Sequence, residues 1–116
     1  MEAEPRFRQG VFPYRGNGYD KPMQIDSTMS YVVPSGAYAQ PVYLRAGNSG
    51  SQLVYLLLLL DGEPLRYFPI GASSDSHVSL RVVQNIQPDS HLELMLAAPE
   101  DAEGTIVVDF GLMEIP

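Results

Sequence analysis

An uninterrupted run of eight apolar residues, 53–60, lies in the middle of this 116-residue chain. The run is much shorter than the roughly 20 residues with which a helix crosses a bilayer. It offers no polar position at which an amphipathic helix would meet water, and Asp61-Gly62 follows it as a turn signal. These features predict a short β-strand that is covered on both of its faces.

Strand patterns lie on both sides of this central strand. Residues 40–46 alternate between apolar and polar side chains, and the turn-forming residues 47–50 follow them at once. We therefore expect residues 40–46 to form a hairpin with the central strand. Residues 65–70 come after the Asp-Gly turn and are expected to pair with its other side.

The rest of the chain completes an all-β pattern. Residues 91–98 and 105–115 alternate along most of their length, and the change of parity after Gly111 indicates a β-bulge at that residue. Residues 80–86 fit either a longer strand or a turn of helix. About seven to eight short strands in all predict an antiparallel β-sandwich of jelly-roll or immunoglobulin-like type.

Residues 1–22 differ in composition from the rest of the chain. Three prolines and three glycines are expected to break any regular element, yet aromatic and aliphatic side chains recur between them. We therefore expect an extended N-terminal arm at 1–22 and a sandwich domain at 23–116. The arm would dock either on its own domain or on a neighbouring subunit, where Arg6 and Arg8 would meet an acidic surface.

The charge of the chain argues against nucleic acid as a partner. Seven basic and fourteen acidic residues give a net charge of −7. The first 22 residues carry a net charge of +1 and the remainder carries −8. Nucleic acid phosphates would therefore meet an acidic body that repels them.

Composition also bounds the chemistry and the relation to membranes. The absence of cysteine excludes disulfides, zinc–thiolate sites and thiol catalysis. A mean hydropathy of −0.06 and the shortness of the apolar run argue against a membrane span. The first ten residues contain no apolar segment of signal-peptide type. We expect a soluble protein, and its compartment is unknown.

Apolar residues at positions that should face solvent indicate self-association. The outer face of an antiparallel sheet in a monomer usually carries polar side chains. Burial of each aliphatic side chain contributes about 1.5–3 kcal/mol, so a few of them would support a stable contact. We predict a non-enzymatic structural or protein-interaction subunit that forms a homo-oligomer or joins a larger assembly. The predicted interface comprises Arg6, Phe7, Arg8, Phe12, Tyr14, Tyr19, Val83, Met95, Val107 and Met113.

Two Asp-Ser-His triplets, at 75–77 and 89–91, do not predict an enzyme. Neighbouring residues cannot converge as a Ser-His-Asp triad does, because a triad is assembled from distant segments. If the two strands paired as a hairpin, His77 and His91 would lie about 23 Å apart at about 3.3 Å per residue. We interpret each Asp-Ser as a turn and each His as the start of a strand, and we predict no catalytic residue.

Calcium is the only cofactor that the sequence would suit. The ion takes about six to eight oxygen ligands, and acidic loops at the ends of a sandwich can supply them. The acidic residues match no EF-hand spacing, so we interpret them as solvated acidic turns and predict no cofactor or metal, with a calcium site as the alternative. The calcium candidates are Asp61, Glu63, Glu100, Asp101 and Glu103.

Carbohydrate binding is the alternative function. Exposed tyrosine rings can stack on the apolar faces of pyranoses. The short strands with an Asp-Gly turn resemble, in outline, the jelly rolls of accessory sugar-binding modules. Such a module would have a glycan as its partner and would bind it with or without calcium. The tyrosines that would form an aromatic platform are Tyr14, Tyr19, Tyr38, Tyr43 and Tyr67.

Overall fold

The computed structural model describes residues 2–80 and 84–116. In these residues it shows nine strands in two antiparallel sheets packed face to face, so the predicted all-β sandwich is confirmed. No helix in this part of the chain is long and apolar enough to cross a membrane. The elements are β1 Glu4–Arg15, β2 Met23–Gln24, a 3-10 turn Ser27–Met29, β3 Ser30–Val32, β4 Tyr38–Asn48, β5 Val54–Leu60, β6 Glu63–Ile70, β7 Ser74–Ser79, β8 His91–Ala97 and β9 Glu103–Ile115.

The two sheets differ in how their strands are ordered. Sheet A has the order β1-β9-β4-β7. In sheet B, β8, β5 and β6 lie side by side, and the short strands β2 and β3 both pair with the other side of β8. Strands β1 and β7 are therefore the edges of sheet A.

The core lies between the sheets and follows the alternation of the strands. In β5, the side chains of Val54, Leu56 and Leu58 point inward and are fully buried. Strand β9 of the opposite sheet contributes every second residue from Ile106 to Leu112. Because each buried side chain of this size contributes about 1.5–3 kcal/mol, these two strands supply much of the attraction between the sheets.

The predicted hairpin between residues 40–46 and the central strand is wrong. These residues belong to β4 in sheet A, whereas the central strand, β5, lies in sheet B between β6 and β8. Residues 49–53 carry the chain across. The Asn48 side chain holds this crossing by donating to the carbonyls of Gln52 and Gly71 at 2.9 and 3.2 Å. The predicted pairing with residues 65–70, in β6, is confirmed.

The N-terminal segment contains a long strand. The expectation that its prolines and glycines break every regular element is wrong, because β1 pairs with β9 over twelve residues. Pro5 and Pro13 are tolerated because an edge strand can direct a residue without an N–H away from its partner. Within residues 4–15 the expected arm is thus an integral part of sheet A.

The bulge expected at Gly111 lies on the neighbouring strand instead. The register between β4 and β9 shifts between Pro41 and Tyr43, so Val42 is the extra residue, while β1 and β9 pair without a shift. The Tyr43 ring covers the Cα atom of Gly111 so closely that a Cβ would collide with it. Packing, and not a bulge in β9, therefore requires glycine at 111.

The strand or helical turn predicted at 80–86 includes residues 81–83, which lie outside the described residues, as does the predicted interface residue Val83. Leu80 and Ile86, on either side, are buried. The Leu80 N–H donates to the carbonyl of Val42, and the Ile86 N–H donates to that of Ala39, both at 2.7 Å. Both ends of this stretch therefore lie beside the first half of β4.

Candidate functional site

Exposed apolar side chains gather on the outer face of sheet A beside its β1 edge. Phe7, Val11 and Val107 are 48%, 65% and 48% exposed, and we call them the apolar strip. Val11 lies directly opposite Val107, and Phe7 lies opposite Gly111. Phe7 and Val107 were predicted interface residues, and Val11 was missed. The sequence could have indicated Val11, because Val11 and Phe7 are separated by an even number of positions and therefore point to the same face of a strand.

The two predicted interface methionines lie on different sheets. Met113 is on the outer face of sheet A, opposite Pro5. Met95 is on the outer face of sheet B, opposite Leu57. Both methionines are partly buried. The predicted interface residues therefore do not form a single surface.

Arg6 and Arg8 make their contacts within the chain, at the side of the sandwich. The Arg6 guanidinium lies 3.4 Å from the Glu114 carboxylate, which also accepts a hydrogen bond from the Tyr31 hydroxyl at 2.5 Å. Burial raises the pKa of Tyr31, and the hydrogen bond to Glu114 raises it further. Arg8 Nε donates to the carbonyl of Ser30 at 2.7 Å. Arg8 thus ties β1 directly to β3, whereas Arg6 reaches Tyr31 of β3 only through Glu114 of β9.

Phe12 and Tyr14, which were also predicted interface residues, point into the sandwich. Phe12 packs against the core, and Tyr14 donates its hydroxyl proton to Asn48 Oδ1 at 2.6 Å. Burial raises the pKa of Tyr14. Gly50 and Gly104 leave room for this hydroxyl, because a Cβ at either position would collide with it. These side chains stabilise their own domain.

Three tyrosines form a cluster on the outer face of sheet B, which we call the tyrosine cluster. The ring centres of Tyr19 and Tyr55 are 6.2 Å apart, and those of Tyr55 and Tyr67 are 5.5 Å apart. Tyr55 donates to the carbonyl of Tyr19 at 2.5 Å, and Tyr19 donates to that of Leu53 at 2.7 Å. Partial burial raises the pKa of Tyr55. The rings are held in place while Tyr19 and Tyr67 remain 45% and 58% exposed.

The tyrosine cluster contains only part of the predicted aromatic platform. Tyr19 and Tyr67 were predicted, but Tyr14 points inward and Tyr43 lies on sheet A. Tyr55 was missed because it lies in the apolar run, where an aromatic residue is interpreted as core. The sequence could have indicated Tyr55, because it is odd-numbered whereas the inward-facing residues of β5 are even-numbered, so its side chain points to the outer face.

A row of polar side chains crosses the outer face of sheet A and passes between Phe7 and the Val11–Val107 pair of the apolar strip. The Asp109 carboxylate accepts hydrogen bonds from Gln9 at 2.9 Å, Tyr43 at 2.8 Å and Arg45 at 2.7 Å. Partial burial would raise the pKa of Asp109, but these hydrogen bonds outweigh it and hold the pKa below its ordinary value. His77 lies opposite Arg45 and meets the Tyr43 ring edge-on at 6.1 Å. The row ties all four strands of sheet A together.

The two Asp-Ser-His triplets lie in different sheets. The first lies inside β7, where His77 borders a shallow depression of about 400 Å³, so its interpretation as a turn is wrong. Asp89 of the second triplet does occupy a turn, with φ of 67°, and His91 begins β8 as predicted. Across residues 2–80 and 84–116, no three His, Asp or Glu side chains are grouped as metal ligands.

The calcium candidates lie in, or directly after, two loops at opposite ends of β8. The β5–β6 turn lies beside the start of β8, and the β8–β9 turn follows its end. Strand β8 has seven residues, which separates the loops by about 20 Å at about 3.3 Å per residue. Asp101 also forms an ion pair with Arg15 at 2.9 Å. The candidates therefore do not converge on one ion: Asp61 and Glu63 lie in and just after the first turn, and Glu100, Asp101 and Glu103 lie in and just after the second.

Comparison with known proteins supports the fold and identifies no family. No family model matches the chain, and no curated protein matches its sequence. The crystal structure of PirA superposes with a TM-score of 0.52 at 9% identity, over 93% of this chain and 92% of that one. The CBM36-1 domain of a multidomain xylanase from the hindgut metagenome of Trinervitermes trinervoides superposes with a TM-score of 0.51 at 13% identity, over 95% and 96%. At these identities the likeness shows a shared β-sandwich fold alone.

Proposed function

We propose that this protein is a non-enzymatic interaction subunit that associates with itself through the β1 side of sheet A. The apolar strip carries the proposal, because Phe7 and the Val11–Val107 pair expose apolar surface on one face, on either side of Gln9. Apolar area removed from water is worth about 25 cal/mol per Å². Such a surface beside an unpaired strand edge is typical of an association site.

The hydrogen bonds that polar side chains make within the protein support a role without catalysis. The Asp109 carboxylate accepts three hydrogen bonds, and the Tyr31 hydroxyl donates one to Glu114. The two histidines lie in different sheets. Polar side chains here serve mainly to fix strands in register, which is what a binding scaffold needs.

Sedimentation equilibrium of the wild type and of the double variant Phe7→Ser/Val11→Ser tests the proposal. Both side chains point outward from β1, so the substitutions spare the core. We expect the wild type to associate as its concentration rises and the double variant to remain monomeric. Removing residues 1–22 would be a poorer test, because it would also take Phe12 and Tyr14 out of the sandwich.

A matched control is Tyr67→Ser, which removes an exposed aromatic ring from the outer face of sheet B. This variant should associate like the wild type. Association that persists equally in the double variant would overturn the role of the apolar strip. Association lost equally in Tyr67→Ser would move the interface to the other sheet.

Carbohydrate binding is a second candidate function, and the tyrosine cluster is the observation that favours it. Tyrosine rings offer apolar faces for stacking together with polar hydroxyls. Because hydrogen bonds already fix Tyr19 and Tyr55, a ligand would lose little side-chain entropy on binding. One of the proteins with a similar fold is a domain of a multidomain xylanase.

A further inference from the structure

The open edge of β1 presents a defined set of backbone groups. Gly16 donates to the carbonyl of Ala102 at 2.7 Å, and Ser49 donates to that of Thr105 at 3.0 Å. In this part of sheet A, the even-numbered residues therefore make the backbone hydrogen bonds between β9 and β1. The odd-numbered residues of β9 make their backbone hydrogen bonds to β4. Even-numbered residues of β1 lie opposite even-numbered residues of β9, and odd-numbered residues lie opposite odd-numbered ones. The odd-numbered residues of β1 therefore direct their backbone N–H and C=O groups away from β9, toward the open edge.

Two prolines delimit this edge. Pro5 and Pro13 are both odd-numbered, so neither removes a hydrogen bond from sheet A. Between them, Phe7, Gln9 and Val11 direct their N–H groups outward, and all five residues are exposed. The edge is therefore a strand segment with three free donors and a proline at each end.

We infer that two copies of the chain pair in antiparallel fashion along this edge, about a two-fold axis at Gln9, which rests on the proposed self-association. In this register Gln9 lies opposite Gln9, and Phe7 of each copy lies opposite Val11 of the other. Pro5 lies opposite Pro13, where the ladder ends. The edge is thus complementary to itself, as a two-fold symmetric interface requires.

The pairing would complete the outer face of sheet A. Phe7 lies opposite Gly111, and Val11 lies opposite Val107, within each copy. In the pair, a continuous row would run from Gly111 and Phe7 of one copy to Val11 and Val107 of the second, and symmetry would generate the same row again. Aromatic and β-branched side chains opposite each other are a favourable cross-strand combination. The two four-stranded sheets would become one eight-stranded sheet.

The charges of β1 are compatible with this register. Arg6 would lie opposite Phe12 and Arg8 opposite Gly10 of the second copy, so no like charges face each other directly. Arg8 donates to the carbonyl of Phe7 at 2.9 Å. That carbonyl has a second lone pair, which can accept the N–H of Val11 from the second copy.

The prolines favour a second copy, and this axis, over other arrangements. An unrelated strand would place a backbone carbonyl opposite Pro5 and Pro13, and that carbonyl would receive no N–H there. A two-fold axis at Phe7 or Val11 would set a proline opposite Gln9, and the Gln9 carbonyl would lose its donor. Only the axis at Gln9 sets each proline opposite a proline and gives the carbonyls of Phe7, Gln9 and Val11 an N–H donor each.

Cysteine substitution reads the register directly, because the chain contains no cysteine. Gln9→Cys sets two thiols opposite each other at the axis. Hydrogen-bonded antiparallel pairs have Cα atoms about 5.5 Å apart, which lies within disulfide range. Under mild oxidation we expect Gln9→Cys to become a covalent dimer, and a short bis-maleimide provides a second measurement that does not depend on disulfide geometry.

Phe7→Cys and Val11→Cys are the matched controls. Each alone should cross-link far less than Gln9→Cys, whereas a mixture of the two should form a cross-linked heterodimer. Cross-linking at Phe7→Cys or Val11→Cys but not at Gln9→Cys would overturn this register while self-association stands. A protein that is monomeric in sedimentation equilibrium and cross-links at none of the three positions would overturn both.

Discussion

The Tyr14 hydroxyl donates a hydrogen bond to the Oδ1 atom of Asn48 at 2.6 Å, which joins the N-terminal strand to the crossing between the sheets. Oδ1 of Asn48 also accepts the N–H of Gly50 at 2.9 Å, and its Nδ2 donates to the carbonyls of Gln52 and Gly71. Asn48 is 4% exposed, so these bonds are shielded from water. One side chain thus stabilises the point where β4 leaves sheet A.

Replacing Asn48 by alanine should therefore be strongly destabilising. The substitution leaves several buried polar groups without a partner, and we expect a loss of roughly 3 kcal/mol in the free energy of unfolding. Tyr14→Phe removes only one of the bonds and should cost about 1 kcal/mol. Urea unfolding of both variants checks this order. Equal stabilities of the two variants would contradict the central role of Asn48.

Gly111→Ala should destabilise the protein through the Tyr43 ring. A Cβ at 111 would collide with that ring, so the ring or the strand must shift. Overpacking of this kind costs about 1–3 kcal/mol. The same substitution in a Tyr43→Ser background should cost much less, and thermal unfolding of the four proteins in this cycle measures the difference. Additive effects would show that the ring is not the cause.

Asp109 should make stability fall in acid. Its pKa is lowered in the folded state, so its contribution is fully present above the unfolded pKa of about 3.9 and is lost as the pH falls through the folded pKa. Asp26, whose pKa is lowered by hydrogen bonds from Thr28, acts in the same direction. Urea midpoints measured from about pH 6 downward should therefore fall less steeply in Asp109→Asn than in the wild type.

The control for this pH experiment is Asp75→Asn, which changes an exposed carboxylate on the same face of sheet A. Its pH profile should follow that of the wild type. If the urea midpoints of Asp109→Asn fall with pH in the same way as those of the wild type, the hydrogen bonds to Asp109 do not contribute to stability as described.

Tyr67 tests the second candidate function. Tyr67→Ala removes the most exposed ring of the tyrosine cluster and should weaken binding of soluble oligosaccharides about tenfold, equivalent to about 1.4 kcal/mol. Titration calorimetry with and without calcium measures this. Phe7→Ser, on the other sheet, is the control and should bind like the wild type. If no oligosaccharide binds the wild type, carbohydrate binding is excluded.

Local alternation predicted the strands whose side chains meet one core. Strands β8 and β9 were predicted to within two residues at each end, because every second side chain in them faces the opposite sheet. The turn after the central strand was also predicted. Asp61 and Gly62 both have positive φ, of 51° and 84°, which aspartate and glycine tolerate better than most residues.

Pairing between strands was harder to predict, because residues 47–50 carry the same local signals in a crossing between sheets as in a hairpin. What distinguishes the crossing is Asn48, a polar residue at an inward-facing position of β4. Both carbonyls to which Asn48 donates lie outside the alternating segment, and that of Gly71 is 23 residues further along the chain. A local pattern does not reveal them.

The same limit applies to the candidate site. Prolines and glycines were interpreted as breaking the N-terminal segment, yet Pro5 and Pro13 share one parity, which is how an edge strand accommodates them. The Phe7 and Val11 side chains have that parity too. Alternation alone could not tell which face of β1 would be covered, because that depends on the position of β9.

The solution mass measured by light scattering on a sizing column tests the central claim of self-association most directly. The wild-type mass should rise with concentration toward twice 12.8 kDa, while Phe7→Ser/Val11→Ser should stay at the monomer mass. A wild-type mass that remains at 12.8 kDa at every concentration would contradict association through β1.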